Sequence, residues 1–238
     1  MGGQNRSTAV MQRRRVAPDS LDYFPTPPFA TRALIEFLKS IGEDLATASA
    51  WEPACGEMHM VRPMREAFTS VRASDVHSYG DHELLDFALI GGGEPSVDWV
   101  ITNPPFRLAE AFIGTAMQVA LRGVAMLVRS AFLEGEGRWR TLFRETPPSW
   151  VLQFTDRVVM LEGRLVRRGA VDPFAARAGD KAASATAYVW LVWLKSDAGE
   201  MADTRLRWIA PACARLEREG DYPTYPVAAQ PPGGMFDP

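Results

Sequence analysis

The sequence predicts an α/β fold: a doubly wound, mostly parallel sheet with helices on both faces. Three observations carry this expectation. Short apolar runs of strand length alternate along the chain with segments whose apolar residues recur at helical spacing. The run GVAMLVRSAFL, from Gly123, is apolar almost without interruption, as a strand buried on both faces of a parallel sheet has to be. Several strand-like runs end in acids or turn residues, at Glu52, Asp75 and Asn103, and open sheets of this kind bind ligands beyond the carboxyl ends of their strands. At 238 residues and 47% hydrophobic content, the chain can bury one sizeable core.

Residues 1–19 are polar, Arg-rich and without periodicity, and are expected to form a flexible basic arm. FPTPPF then leads, extended, into a helix on which Phe29, Ala33, Leu34, Phe37, Leu38 and Ile41 share one face. ATASAWE is a short strand, PACGE a turn, and a helical run follows from Met60 to Phe68. SVRASD is a second strand ending at Asp75, and Leu84–Ala88 a third, short one. VDWVIT is a clear strand with the amphipathic helix LAEAFIGTAMQVAL behind it. After GVAMLVRSAFL come a helix around Arg138–Arg144 and the strand PSWVLQF. Residues 163–185 lack a core pattern and are expected to be a mobile loop. TAYVWLVWL is the last core strand; Trp190 and Trp193 fall on its opposite faces, so one of them is expected in the core. The tail has one short apolar patch, LRWIAP. The expected organisation is an arm (1–19), a single domain (20–196), and a tail (197–238) packed on the domain or extending from it.

A net charge of -3 gives no global attraction to nucleic acid or to an anionic membrane. The charge is uneven, however. Residues 1–100 hold nine Arg/Lys against fourteen Asp/Glu, whereas residues 129–168 hold eight Arg against five acids. A polyanion-facing surface would therefore lie in the second half, helped by Arg13, Arg14 and Arg15; with only three lysines in the chain, these arginines read equally well as a solvated surface. Two cysteines, Cys55 and Cys213, build neither a disulfide framework nor a zinc site, and His59, His77 and His82 show no metal spacing with them, so no metal is expected. There is no apolar run of about 18 residues and no apolar leader. A cytoplasmic protein without membrane partners is expected.

Three strand ends look like parts of one pocket. WEPACGEMHM places Glu52 before a tight turn in which Gly56 lets the backbone pass close to a ligand. Asp75 ends the next strand, where an acid takes both hydroxyls of a ribose. Asp86 and Phe87 offer an acceptor for an adenine amino group and a ring to lie on the base. The chain has no G-x-G-x-x-G run and no Walker lysine, which disfavours dinucleotides and ATP. An adenosine ligand without phosphates points to S-adenosylmethionine.

The motifs FPTPPFATRAL, EPACGEMHM, ASDVHSYG, DFALIGG, DWVITNPPF and LVRSAFLEGEGR, in that order, cover roughly Tyr23 to Arg138. Together they resemble the class I S-adenosylmethionine-dependent methyltransferases of the amino-methylating type, and within them the short phage- or prophage-type DNA adenine N6-methyltransferases in a gamma-like motif order. The resemblance implies a Rossmann-like, mostly parallel seven-stranded sheet with an antiparallel last strand. It implies that Thr26, Glu52, Ala54 and Gly56 contact the methionine end of the cofactor, Asp75 the ribose, and Asp86 with Phe87 the adenine, with Asn103 adjoining. Asn-Pro-Pro-Phe is specific for methylation of a planar nitrogen, and less so for adenine, because some RNA guanine N2-methyltransferases share it. The family has glycine where this chain has Met58, whose side chain could crowd the methionine moiety or point away at the helix start.

In such a site Asn103, Pro104, Pro105 and Phe106 form the catalytic set. The Asn103 side-chain oxygen and the Pro104 carbonyl each accept one amino hydrogen, the prolines stiffen the loop, and Phe106 stacks on a flipped base. Cys55 reads as a small residue in a crowded turn. Phe106, Arg129, Arg157, Arg164, Arg167 and Arg168 are the candidate substrate contacts, with a nucleic acid as partner and DNA ahead of RNA. A separate target-recognition domain is not expected, and nothing in the chain specifies an oligomeric partner. Two other readings remain open at this level: an RNA methyltransferase acting on adenine N6 or guanine N2, and a non-catalytic binding protein with a degenerate cofactor pocket, which Met58 would favour. Protein glutamine methylation is disfavoured, because that family resemblance calls for Tyr in place of Phe106.

Overall fold

The computed structural model describes residues 22–91, 94–197 and 203–225. The predicted arm at residues 1–19 lies outside them. Helix α1 (Pro28–Ser40) begins on a proline whose fixed φ suits a first helical position and ends in a basic turn. Strands β1 (Ser49–Glu52), β2 (Ser70–Asp75) and β4 (Val97–Thr102) run parallel in the order β2-β1-β4, with helix α2 (Val61–Arg65) between the first two. Strand β3 pairs with β2 over Glu83–Leu84 only, shorter than the sequence suggests. The chain turns at Asp86 instead, whose Oδ1 accepts the Ala88 N–H at 3.0 Å. Helix α3 (Ala109–Val119) leads into β5 (Ala120–Arg129), which pairs parallel with β4.

The expected helix around Arg138–Arg144 is a short α turn, α4 (Glu136–Arg138), continued by a π turn over Trp139–Phe143. Strand β6 (Trp150–Phe154) and strand β7 (Tyr188–Leu194) complete the expected seven, with β7 inserted antiparallel between β5 and β6. The tail then adds an eighth strand, β8 (Arg205–Ile209), parallel to β6, so the sheet order is β3-β2-β1-β4-β5-β7-β6-β8. Its apolar pattern is interrupted by arginines that lie over neighbouring rings. Arg205 sits 5.1 Å from the Trp150 ring and Arg207 5.6 Å from that of Phe37.

Two apolar layers enclose the sheet. One packs Phe29, Leu34 and Leu38 of α1 on Trp99, Ile101, Leu127 and Trp190. The other packs Phe112 and Ile113 of α3 on Val100, Val124, Met126 and Trp193. Trp190 and Trp193 are therefore both core, because both faces of β7 are covered. Gly123 is needed where these layers meet the strand: a Cβ there would lie 2.4 Å from the Trp99 ring. The last described segment is anchored through Arg32, a buried residue of α1. Its guanidinium donates to Asp221 at 2.6 Å, to the Leu216 carbonyl at 2.8 Å and to Glu66 at 2.8 Å, joining α1, the end of α2 and the short helix α5 (Cys213–Leu216).

Residues 163–185, without a core pattern in sequence, are stitched together locally. Ala182 exchanges backbone hydrogen bonds with Gly169 and Ala170 at 3.0 and 2.8 Å, Arg164 pairs with Asp172, and Val159, Val166 and Ala182 form a small apolar cluster. Among the described residues no helix is long and apolar enough to cross a membrane, and no cluster of His, Cys, Asp or Glu could hold a metal.

Candidate active site

Because β1, β2, β4 and β5 are parallel, their carboxyl ends reach the same edge of the sheet and open on one cavity of about 730 Å3. That volume is in the range of roughly 300–1,000 Å3 usual for small-molecule sites. The turn after β1 forms one wall. Gly56 has φ +47, and a Cβ there would meet the Tyr23 ring at 2.5 Å, so glycine is required for the lead segment to cross this turn. Tyr23 also packs on Tyr79 with centroids 4.7 Å apart and donates its hydroxyl hydrogen to Glu57 at 3.2 Å.

Asp75, at the end of β2, stitches the same turn together. Its Oδ2 accepts the Gly56 N–H at 2.9 Å and its Oδ1 the His77 N–H at 3.0 Å. A carboxylate oxygen has a second acceptor position, so both oxygens can still take hydroxyls from the cavity that Asp75 lines. Asp86 and Phe87 line the cavity as well. Most of the Phe87 ring belongs to the core, against Trp51 at 5.0 Å and Phe112 at 5.1 Å.

Glu52 is fully buried beneath this wall. Its Oε1 accepts from Thr102 Oγ1 at 2.5 Å and from the Ala54 N–H at 3.0 Å, while its Oε2 has no partner. Burial pushes its pKa up to about 8, against those two hydrogen bonds and with help from the nearby Asp75 charge. Burial likewise pushes the Cys55 thiol up to about 12, so it is no nucleophile at neutral pH.

The opposite wall is the loop after β4. Asn103 Nδ2 donates to the Phe24 carbonyl at 2.9 Å and to Thr26 Oγ1 at 3.0 Å, and it lies 3.6 Å from Met160 Sδ. Those acceptors fix the amide orientation and leave Oδ1 shielded from solvent with no partner. Phe106 sits beside it, its ring 5.2 Å from that of Phe24 and 3.6 Å beneath the Arg129 guanidinium. Pro105 lines the cavity, Pro104 is buried behind it, and among the described residues no hydrogen bond engages the Pro104 carbonyl.

Neither a family model nor a curated protein sequence matches the chain. Solved structures do. A protein from Listeria monocytogenes assigned to the class I S-adenosylmethionine-dependent methyltransferases superposes with a TM-score of 0.56 at 13% identity, covering 82% of this chain and 70% of its own. A protein from Pyrococcus horikoshii assigned as an RNA methyltransferase superposes with a TM-score of 0.51 at 14% identity, covering 78% of this chain and 95% of its own. The fold is that of the class I methyltransferases.

Within this class I fold the sequence-predicted residues separate into two groups. Thr26, Ala54, Asp75, Asp86, Phe87, Asn103, Pro105, Phe106 and Arg129 line the one cavity, with Glu52, Gly56 and Pro104 immediately behind its walls. Arg157, Arg164, Arg167 and Arg168 do not line it. Arg164 pairs with Asp172, Arg167 with Glu217 and Arg168 with Asp156, while Arg157 donates to the Ala185 carbonyl. Met58 has φ +70, the left-handed region that its glycine counterpart favours, and it is absent from the cavity lining. It therefore keeps the left-handed turn from outside the cavity lining. Sequence reading missed Tyr23, Phe24, Arg107 and Met160, which also line or border the cavity. Arg107 could have been found as the first cation after the Asn-Pro-Pro-Phe loop; Met160 had no local signal.

Proposed function

We propose that the chain is an S-adenosylmethionine-dependent methyltransferase acting on an exocyclic amino group of a nucleobase, adenine N6 in DNA ahead of RNA. The observation that carries this reading is the unpartnered Asn103 Oδ1, an acceptor that Phe24, Thr26 and Met160 hold in place beside an aromatic ring. A solvent-shielded acceptor without a partner calls for an N–H donor in its ligand.

The residues present fit the cofactor. Asp75 lines the cavity with two oxygens that each keep an acceptor position for vicinal hydroxyls, and Asp86, which also lines it, can accept from an amino group. The bound cofactor supplies a methyl group already activated on a positively charged sulfur. The protein's task is to make a poor nucleophile attack it. An exocyclic nitrogen has its lone pair delocalised into the ring. Asn103 Oδ1 accepts one of its hydrogens and the carbonyl of the adjoining Pro104, which no hydrogen bond engages among the described residues, accepts the other, which draws the nitrogen toward tetrahedral geometry. Phe106 and Phe24 hold the ring plane, so acceleration comes from positioning and fixed dipoles, and the surplus proton leaves to solvent without a dedicated base. Because Met58 lies off the cavity, the degenerate-pocket reading loses the feature that favoured it.

The testing experiment offers labelled S-adenosylmethionine with duplex DNA, single-stranded DNA, structured RNA and protein, then digests each and identifies the methylated product. N6-methyladenine from DNA, lost in Asn103→Ala, supports the proposal; label confined to RNA or protein refutes its DNA clause.

A further inference from the structure

The cavity is electrically divided. Its cofactor half carries Asp75 and Asp86, and the end at Phe106 carries Arg107 and Arg129. Both arginines are exposed, and among the described residues neither has a carboxylate within ion-pair distance. Arg129 ends β5 in register with Tyr188 of β7, and its guanidinium is held by the Phe106 ring face at 3.6 Å. A cation held on an aromatic face keeps its N–H edges available for an anion. An anion already sits at this corner: the Asp22 carboxylate accepts the Phe106 backbone N–H at 2.6 Å. Burial raises the pKa of the Tyr188 hydroxyl, and the Arg129 guanidinium beside it acts in the opposite sense. Helix α3 starts two residues beyond Arg107 and adds the positive end of its dipole.

We propose that the Phe106 N–H, Arg107 and Arg129 form an anion seat for the backbone phosphate next to the target nucleotide, occupied by Asp22 until substrate arrives. This deepens the reading given above and rests on it. A phosphodiester offers the same single charge on two unesterified oxygens as the tethered carboxylate, and can share them between a planar guanidinium fork and a backbone N–H. Displacement of Asp22 also frees the Phe106 loop to close on the base. The seat favours a nucleotide within a strand over a free nucleoside or an uncharged protein amide.

The test measures anisotropy of a labelled single-stranded oligonucleotide with the chain and S-adenosylhomocysteine, over a range of salt. Arg107→Ala and Arg129→Ala each weaken binding about tenfold, as loss of a charge-assisted hydrogen bond does, and reduce the salt slope by about 0.7 for each phosphate no longer neutralised. Asp22→Asn, which removes the internal competitor, tightens binding severalfold. Unchanged affinity in both arginine variants, or weaker binding in Asp22→Asn, overturns the seat. No methyl is transferred in this assay, so the two readings fail separately. Arginine-dependent binding without any labelled product sinks only the enzymatic reading, and labelled nucleic acid with arginine-independent binding sinks only the seat.

Discussion

Thr26 holds Asn103: its Oγ1 accepts from Asn103 Nδ2 at 3.0 Å, and this contact helps fix an amide whose Oδ1 is shielded and unpartnered. Seventy-seven residues separate the two in sequence, and the lead segment before α1 is what brings them together. A residue that the family resemblance places at the cofactor thus also positions the amide proposed to hold the base.

Thr26→Val should lower kcat about tenfold, the worth of one hydrogen bond of roughly 1.4 kcal/mol, with a smaller change in cofactor affinity. Steady-state kinetics beside calorimetric titration of the cofactor separates the two. A loss confined to cofactor affinity would show that Thr26 acts as a cofactor contact and not on Asn103.

Glu52 should make stability depend on pH. Its pKa rises from an ordinary 4.5 to about 8 on folding. The folded chain therefore binds more protons than the unfolded one between those values. Stability contributed by the neutral acid is complete below pH 4.5 and is lost as pH climbs through about 8. Glu52→Gln should remove this loss and be more stable than the parent at pH 8, by a margin on the order of 3 kcal/mol. Denaturant melts at several pH values check it; parallel pH profiles of the two proteins would contradict it.

Met58→Gly should stabilise the fold while leaving the cofactor pocket as it is. A non-glycine residue at φ +70 is strained by about 1 kcal/mol, which in a chain of this size is a rise in Tm of roughly 2–4 °C. Cofactor affinity should stay the same within calorimetric error, and a large gain would mean that the Met58 side chain does reach the ligand.

Arg32→Ala should be severely destabilising, by about 3–5 kcal/mol, because it leaves carboxylates of a buried pair uncompensated. The double variant Arg32→Met with Asp221→Leu should recover most of the loss in a thermal melt. Failure to recover would locate the effect in the Leu216 carbonyl and Glu66 contacts instead.

Much of this was legible in the sequence, for identifiable reasons. VDWVIT and SVRASD read as strands and end where the structure ends them, at Thr102 and Asp75, because periodicity and the following Asn-Pro and loop residues agree. Strand β8 was hidden because its arginines, which a hydropathy pattern records as polar, set their guanidinium groups over neighbouring rings. The Leu84–Ala88 strand shrank to two residues because Asp86 spends its carboxylate on a turn. The cavity acids and Asn103 were visible as residue types at strand ends. The Asn103 partners Phe24 and Met160 were not, since contacts across 57 to 79 residues leave no local trace. The arginine cluster illustrates the opposite error of composition: Arg164, Arg167 and Arg168 look free in a count and are paired in space.

The role of Asn103 is measured by transfer of labelled methyl to oligonucleotides of defined base content by the parent chain and by Asn103→Ala, with cofactor affinity measured on both. The expected result is label on adenine N6 from the parent, and a loss of transfer in the variant far larger than any loss of cofactor binding. Transfer by Asn103→Ala at the parent's rate, or label on a ring carbon or a phosphate, would contradict it.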